Sequence, residues 1–193
     1  GHYTIDDLDF DHAVQIVKAT DPDLITFCGN YGDPLYYPRM IEAIQLCHKN
    51  NIPFEFHTNG SGKKLSWWEE FYSSYENIPY GRKERKSTVW FGLDGLKDTA
   101  HLYRVNTNWK EVWDAMCLGV KMDREVIWQW IPFSFNEHQI EEAKKLAEDN
   151  GIHLLLRLSD RWDSRQGKLD PLEPSDKYKP QAGHNGNRIK YEK

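Results

Sequence analysis

The feature that most constrains this chain is a regular alternation of short apolar stretches with amphipathic ones. Apolar or alternating segments begin near Leu24, Pro53, Thr88, Val126 and Ile152, roughly 26 to 38 residues apart, and a helical pattern fills each interval. Strands separated by helix-length connections pair in parallel, because the chain must cross back over the sheet before starting a parallel neighbour. The expected architecture is α/β: a partial (βα) barrel of parallel strands, TIM-barrel-like, with five strands and with helices outside. A leading helix is expected from about Ile5 to Ala19.

The helix signals have physical causes. Pro38 suits a first helical turn, and Met40, Ile41, Ile44 and Cys47 then form one apolar stripe. Ser66 with Glu69 reads as a capping box, and Asn108 with Glu111 and Asn136 with Gln139 repeat the device. Gly151 ends the last of these helices. From Ser159 onward the chain is rich in Lys, Asp, Pro, Gly and Asn with little apolar periodicity. The expected organisation is a barrel over 1–158 and a polar tail, or linker to a further C-terminal extension, over 159–193.

Composition excludes some classes. No apolar run approaches the ~20 residues of a membrane-spanning helix. The net charge of −5 argues against nucleic acid as the partner, since phosphate binding relies on clustered cations. The one basic cluster, Arg82 to Lys86, reads as a solvated loop. Cys28, Cys47 and Cys117 lie far apart, with neither metal-ligand spacing nor a disulfide framework, so a reducing cytoplasm is the expected compartment.

Alternation sorts each strand into two faces. Phe54, Phe56 and Thr58 oppose Glu55, His57 and Asn59; Val89, Phe91 and Leu93 oppose Trp90, Gly92 and Asp94. Val126, Trp128 and Trp130 oppose Ile127, Gln129 and Ile131, and Leu154, Leu156 and Leu158 oppose His153, Leu155 and Arg157. If the apolar sets pack under the helices, then Glu55, His57, Asn59, Asp94, Gln129 and Arg157 line the inside. A polar interior is costly unless paired, hydrated or occupied, so an open barrel with a polar ligand is expected. The bland reading is a structural Glu55–Arg157 ion pair with His57 satisfied in the core.

Sites collect where parallel strands end. The first strand is followed by Phe27-Cys28-Gly29-Asn30-Tyr31-Gly32-Asp33-Pro34, the second ends in His57-Thr58-Asn59-Gly60, and the third in Phe91-Gly92-Leu93-Asp94-Gly95, with Tyr103-Arg104 beyond. In this order the pieces resemble the radical S-adenosylmethionine (SAM) superfamily, particularly members with a SPASM or twitch extension. The resemblance covers roughly Ile5 to Leu158. It implies that Gly32, Asp33 and Pro34 receive the methionyl ammonium of SAM and that Arg104 pairs with its carboxylate. Thr58, Asn59 and Asp94 match the motifs at the next two strand ends, and Ile131 to Asn136 the adenine-contacting region. Glu55, His57, Gln129 and Arg157 are then expected to line the substrate pocket, for a small-molecule or peptide substrate.

The sequence departs from that family twice. The Cx3Cx2C that holds a [4Fe–4S] cluster is absent, together with the barrel strand it follows, and none of the three cysteines replaces it. Gly92 stands where a serine would add a carboxylate contact. The resemblance therefore implies a fragment of an iron–sulfur oxidoreductase that, when intact, cleaves SAM to a 5′-deoxyadenosyl radical. This chain is expected to be inactive alone, with no bound metal or cofactor. The alternative is a non-catalytic, degenerate barrel module that binds a nucleotide-like ligand or a protein. A third reading, hydrolysis by a Glu55–Asp94 carboxylate pair, needs both groups to face the cavity. A missing first strand would expose a sheet edge through which copies of the chain could pair.

Overall fold

The computed structural model describes residues 9–29, 32–77, 85–159 and 172–179. Strands β1 (Ile25–Phe27), β2 (Phe54–Thr58), β3 (Thr88–Gly92), β4 (Glu125–Trp130) and β5 (His153–Leu156) form one parallel sheet in chain order. Helices α1 (Phe10–Thr20), α2 (Met40–Lys49), α3 (Leu65–Ser73), α4 (Ala100–Tyr103), α5 (Trp109–Lys121) and α6 (Ile140–Asp149) complete the alternation. The fold is thus the α/β, partial-barrel arrangement that the spacing predicts. The sheet curls enough that His57 on β2 and Arg157 just past β5 line one cavity, although two strands separate β2 from β5.

Period-2 alternation decides which face is dry. Phe54, Phe56, Val89, Phe91, Val126, Trp128 and Trp130 are buried on the helix side, while Glu55, His57, Trp90, Gly92, Ile127 and Gln129 on the other face are half-buried. The register pairs Trp128 with Leu154 and Trp130 with Leu156, so β5 follows the same rule, although Leu155 is itself buried on the cavity side. The helix-side core is strongly aromatic. Phe54 meets Tyr75 at 4.8 Å, Phe56 meets Phe71 at 4.9 Å, and Trp68 meets Phe91 at 5.0 Å between ring centroids. Met40, Ala43, Ile44 and Cys47 bring α2 onto the same layer.

Several local expectations change. α1 starts at Phe10, where Asp9 caps it by accepting the His12 N–H at 2.8 Å; the stretch 5–8 of the expected helix lies outside the described residues. Pro38 lies in the turn before the Arg39 N-cap rather than inside α2. Ser66 caps nothing: α3 is entered at Lys64, which is extended (φ −66°, ψ 154°), and no side chain caps the start. Burial of Trp68 and stacking of Trp67 on Phe71 fix this helix instead of a hydroxyl. Asn108 does cap α5, with its Oδ1 accepting the Glu111 N–H and its Nδ2 donating to Glu111 Oε1 at 3.0 Å.

Asn136 and Gln139 form no capping box, because both are buried and each must satisfy its whole amide. Asn136 accepts the Phe133 N–H at 2.7 Å and donates to the carbonyls of Asp94 and Ile131. Gln139 accepts from Thr99 Oγ1 at 2.5 Å and donates to Asp98 at 2.8 Å. The two amides tie the loop after β4 to the loop after β3. Residues 172–179 of the polar tail lie against that same loop: Ser134 N–H donates to the Leu172 carbonyl, Ser175 N–H to Glu137, and Tyr178 is buried in the core.

Candidate functional site

The C-terminal ends of the strands surround a polar cavity of about 370 Å³. Its β1 wall is the loop carrying Gly29, Gly32, Asp33 and Pro34. Asp33 caps the short 3-10 turn Pro34–Tyr36 by accepting the Leu35 N–H on Oδ1 at 3.0 Å. Its Oδ2 accepts from Thr58 Oγ1 at 3.0 Å and from the Asn59 N–H at 2.7 Å. One carboxylate therefore staples the β1 loop to the end of β2. A carboxylate offers about four acceptor positions, so these three bonds leave Asp33 roughly one for a ligand. Gly60 completes the turn at φ +77°, where a side chain would be strained and would also meet the Phe91 ring at 2.7 Å.

The opposite wall is built around Arg104. Its Nε donates to Asp94 Oδ2 at 2.7 Å and its Nη1 to Asn59 Oδ1. Asp94 is fully buried, and its Oδ1 accepts the Ile131 N–H at 2.6 Å. The guanidinium lies across Gly92, close enough that a Cβ there would come within 2.5 Å of Nη2. Asp33, Asn59, Arg104 and Asp94 thus form a continuous run of charge-assisted bonds linking the ends of β1, β2 and β3 with the loop after β4.

His57 and Trp90 occupy the inner end of the cavity, stacked at 5.1 Å with 15° between ring planes. His57 Nε2 lies 3.6 Å from Glu55 Oε2, an ion-pair distance rather than a hydrogen bond. Burial lowers the imidazole pKa below 6.5; Glu55 opposes the shift and Arg157 adds to it. A depressed pKa means that the unfolded chain takes up the proton first as the pH falls. The stability held by neutral His57 is therefore complete above about 6.5 and is lost as the pH drops toward the folded-state pKa. An NMR titration should find the His57 midpoint below 6.5, and Glu55→Gln should lower it further by removing the opposing anion. An unchanged midpoint in that variant would show that Glu55 does not act on the ring.

Of the residues singled out from sequence, Gly32, Asp33, Pro34, His57, Thr58, Asn59, Arg104, Gln129 and Arg157 line this cavity. Glu55, Asp94, Ile131 and Asn136 do not. Glu55 lies behind His57 and Thr26, whose Oγ1 donates to it at 3.3 Å. Asp94, Ile131 and Asn136 are buried and bonded to one another. Asp94 is committed to Arg104 and Ile131, so it forms no acid–base pair with Glu55 and the hydrolytic reading falls. Sequence reasoning passed over Thr26 and Cys28 as lining residues; extending the alternation one strand earlier would have found both.

The three cysteines do not fit an iron–sulfur cluster. Cys28 is exposed at the end of β1, Cys47 is buried in α2 with its thiol pushed up to about 12 by burial, and Cys117 sits on α5. Cluster thiolates must converge, and these belong to three separate elements. Among the described residues no group of three or more His, Cys, Asp or Glu side chains could hold a metal ion.

No protein-family model matches the sequence, and no curated protein matches it. Solved structures share its fold. Streptococcus suis SuiB bound to the precursor peptide SuiA superposes with a TM-score of 0.59 at 13% identity, over 79% of this chain and 33% of that one. SuiB bound to S-adenosylmethionine gives 0.58 at 13% identity, over 97% and 39%. Native anSMEcpe with bound AdoMet (S-adenosylmethionine) and Kp18Cys peptide gives 0.54 at 18% identity, over 79% and 43%. The chain spans less than half the length of each of these. What this chain shares with the three structures is the fold.

Proposed function

We propose that this chain is part of a radical SAM iron–sulfur oxidoreductase and that its polar cavity is the SAM site. The observation that carries the reading is the meeting of Asp33 and Arg104, from different strand ends, in one polar cavity of a radical SAM-like sheet. Arg104 takes the methionyl carboxylate, and the Gly32-Asp33-Pro34 loop takes the ammonium. Thr58, Asn59 and Asp94 hold those two groups in place, while Ile131 and Asn136 shape the loop on which adenine rests. A small-molecule or peptide substrate enters beside His57, Gln129 and Arg157, with Glu55 behind them.

In the chemistry such a fold implies, SAM supplies the hydrogen-abstracting group and a [4Fe–4S] cluster supplies the electron. The cysteines of this sequence do not converge on a cluster, so the chain alone binds the ligand and leaves it uncleaved. That same scatter favours the second reading, a binding module without catalysis. No helix among the described residues is long and apolar enough to cross a membrane, and a cytoplasmic setting suits the free thiols. Among the described residues β1 is an edge strand of the sheet, and pairing of a second copy along it is part of the proposal.

Calorimetry with SAM tests the reading. Without iron to chelate the amino-acid head, a Kd between about 100 μM and a few mM is expected. Arg104→Ala should weaken it about tenfold or more, because a charge-assisted bond contributes about 1.5–3 kcal/mol. Equal binding by both proteins would remove Arg104 from the site.

A further inference from the structure

The two anchors for an amino-acid head are unequally available. Asp33 spends three acceptor positions on Leu35, Thr58 and Asn59, and is itself a structural staple. Arg104 uses Nε on Asp94 and Nη1 on Asn59, while its Nη2 makes no protein hydrogen bond among the described residues and lies at the cavity wall beside Gly92. A guanidinium carries five N–H donors, so both donors of Nη2 and one of Nη1 remain to be given. The berth exists only because position 92 has no side chain. A Cβ there would lie 2.5 Å from Nη2, 2.9 Å from Cζ and 3.4 Å from Nη1. For the guanidinium to step aside, it would have to give up its alignment with Asp94, which holds Nε from a fully buried position.

We infer that Gly92 is a specificity-determining residue: by leaving room for Arg104 across the end of β3, it makes a carboxylate the dominant recognition element of the ligand head, ahead of the ammonium. This rests on the SAM reading and sharpens it into a ranking. The site favours ligands with a carboxylate next to the amine over otherwise identical amines that lack it. Any side chain at position 92 would compete with this placement of Arg104 for the same space.

The test titrates the full chain by calorimetry with SAM and with decarboxylated SAM, which keeps the sulfonium, adenosine and amine. Loss of the carboxylate should weaken binding by about 10- to 100-fold, the equivalent of the charge-assisted bonds to Arg104. Gly92→Ala should weaken SAM about tenfold or more and leave decarboxylated SAM nearly unchanged, so that the two ligands converge. That convergence separates a displaced anchor from a general loss of folding, which would weaken both. Equal affinity of the wild type for the two ligands overturns the inference while leaving the SAM site standing. So does a Gly92→Ala protein that keeps the full preference for SAM. Failure of the wild type to bind SAM at millimolar concentration overturns the functional reading and the inference together.

Discussion

Asp94→Ala is expected to lower the unfolding free energy by about 3–5 kcal/mol, the usual cost of removing one partner from a buried ion pair. The carboxylate is fully buried and bonded on both oxygens, to Arg104 Nε at 2.7 Å and to the Ile131 N–H at 2.6 Å. Its loss leaves a guanidinium whose side chain is only 18% exposed, and an orphaned N–H where β4 ends. The Ile131 N–H cannot recover water without opening the strand ends, and a buried donor left unpaired is costly in itself. Removing both charges, in Asp94→Ala with Arg104→Ala, should cost less than the sum of the single changes, because the second no longer strands a charge. Urea unfolding of the four proteins measures this cycle. A cost below about 1 kcal/mol for Asp94→Ala would mean that the pair is not the buried clamp described.

Asp33→Asn comes second, at about 2–3 kcal/mol, and probes the staple between β1 and β2. The amide oxygen can still accept the Leu35 N–H, but an NH2 group then faces Thr58 Oγ1 and the Asn59 N–H. The Thr58 hydroxyl can turn to accept, although it already accepts the Gly60 N–H at 2.9 Å. The Asn59 N–H cannot turn, and is left facing a donor. Turning the amide over only moves the mismatch to Leu35. The same urea titration measures the loss, and because Asn59 also positions Arg104, SAM affinity should fall with it. Wild-type stability in Asp33→Asn would show that these three bonds contribute nothing net.

The legible part of this molecule is the part that obeys one period. β2, β3 and β4 alternate cleanly, so His57 and Gln129 could be assigned to the cavity face from sequence, and Arg157 followed once β5 was put in the same phase. The period fails where the strands end. β3 stops at Gly92, the Leu93 N–H donates to the Gln129 carbonyl, and the chain turns, so Asp94 runs into the protein instead of facing the cavity with Trp90. Ile131 leaves the inward face for the same reason, one residue after β4. Asn136 and Gln139 have the spacing of a helix cap, and only their burial, which depends on the loop after β3, diverts both side chains to other partners. Gly92 could be noticed as a departure, but not that Arg104 fills the space it leaves, since that contact joins residues on two elements.

The central claim is that SAM occupies the polar cavity at the strand ends with its carboxylate on Arg104. The most direct measurement is the amide and arginine Nε NMR spectrum of the full chain titrated with SAM. Shifts should concentrate on Gly32, Asn59, Gly60, Gly92 and the Arg104 Nε–H, with the exposed residues of α5 and α6 unmoved. The apolar cavity of about 520 Å³ between α1, β1 and α2 adjoins the polar one at Thr26, Cys28 and Pro34, but Phe10, Val17, Ile25 and Met40 line it alone and serve as a built-in control. Shifts confined to that cavity, or none at saturating SAM, would contradict the account.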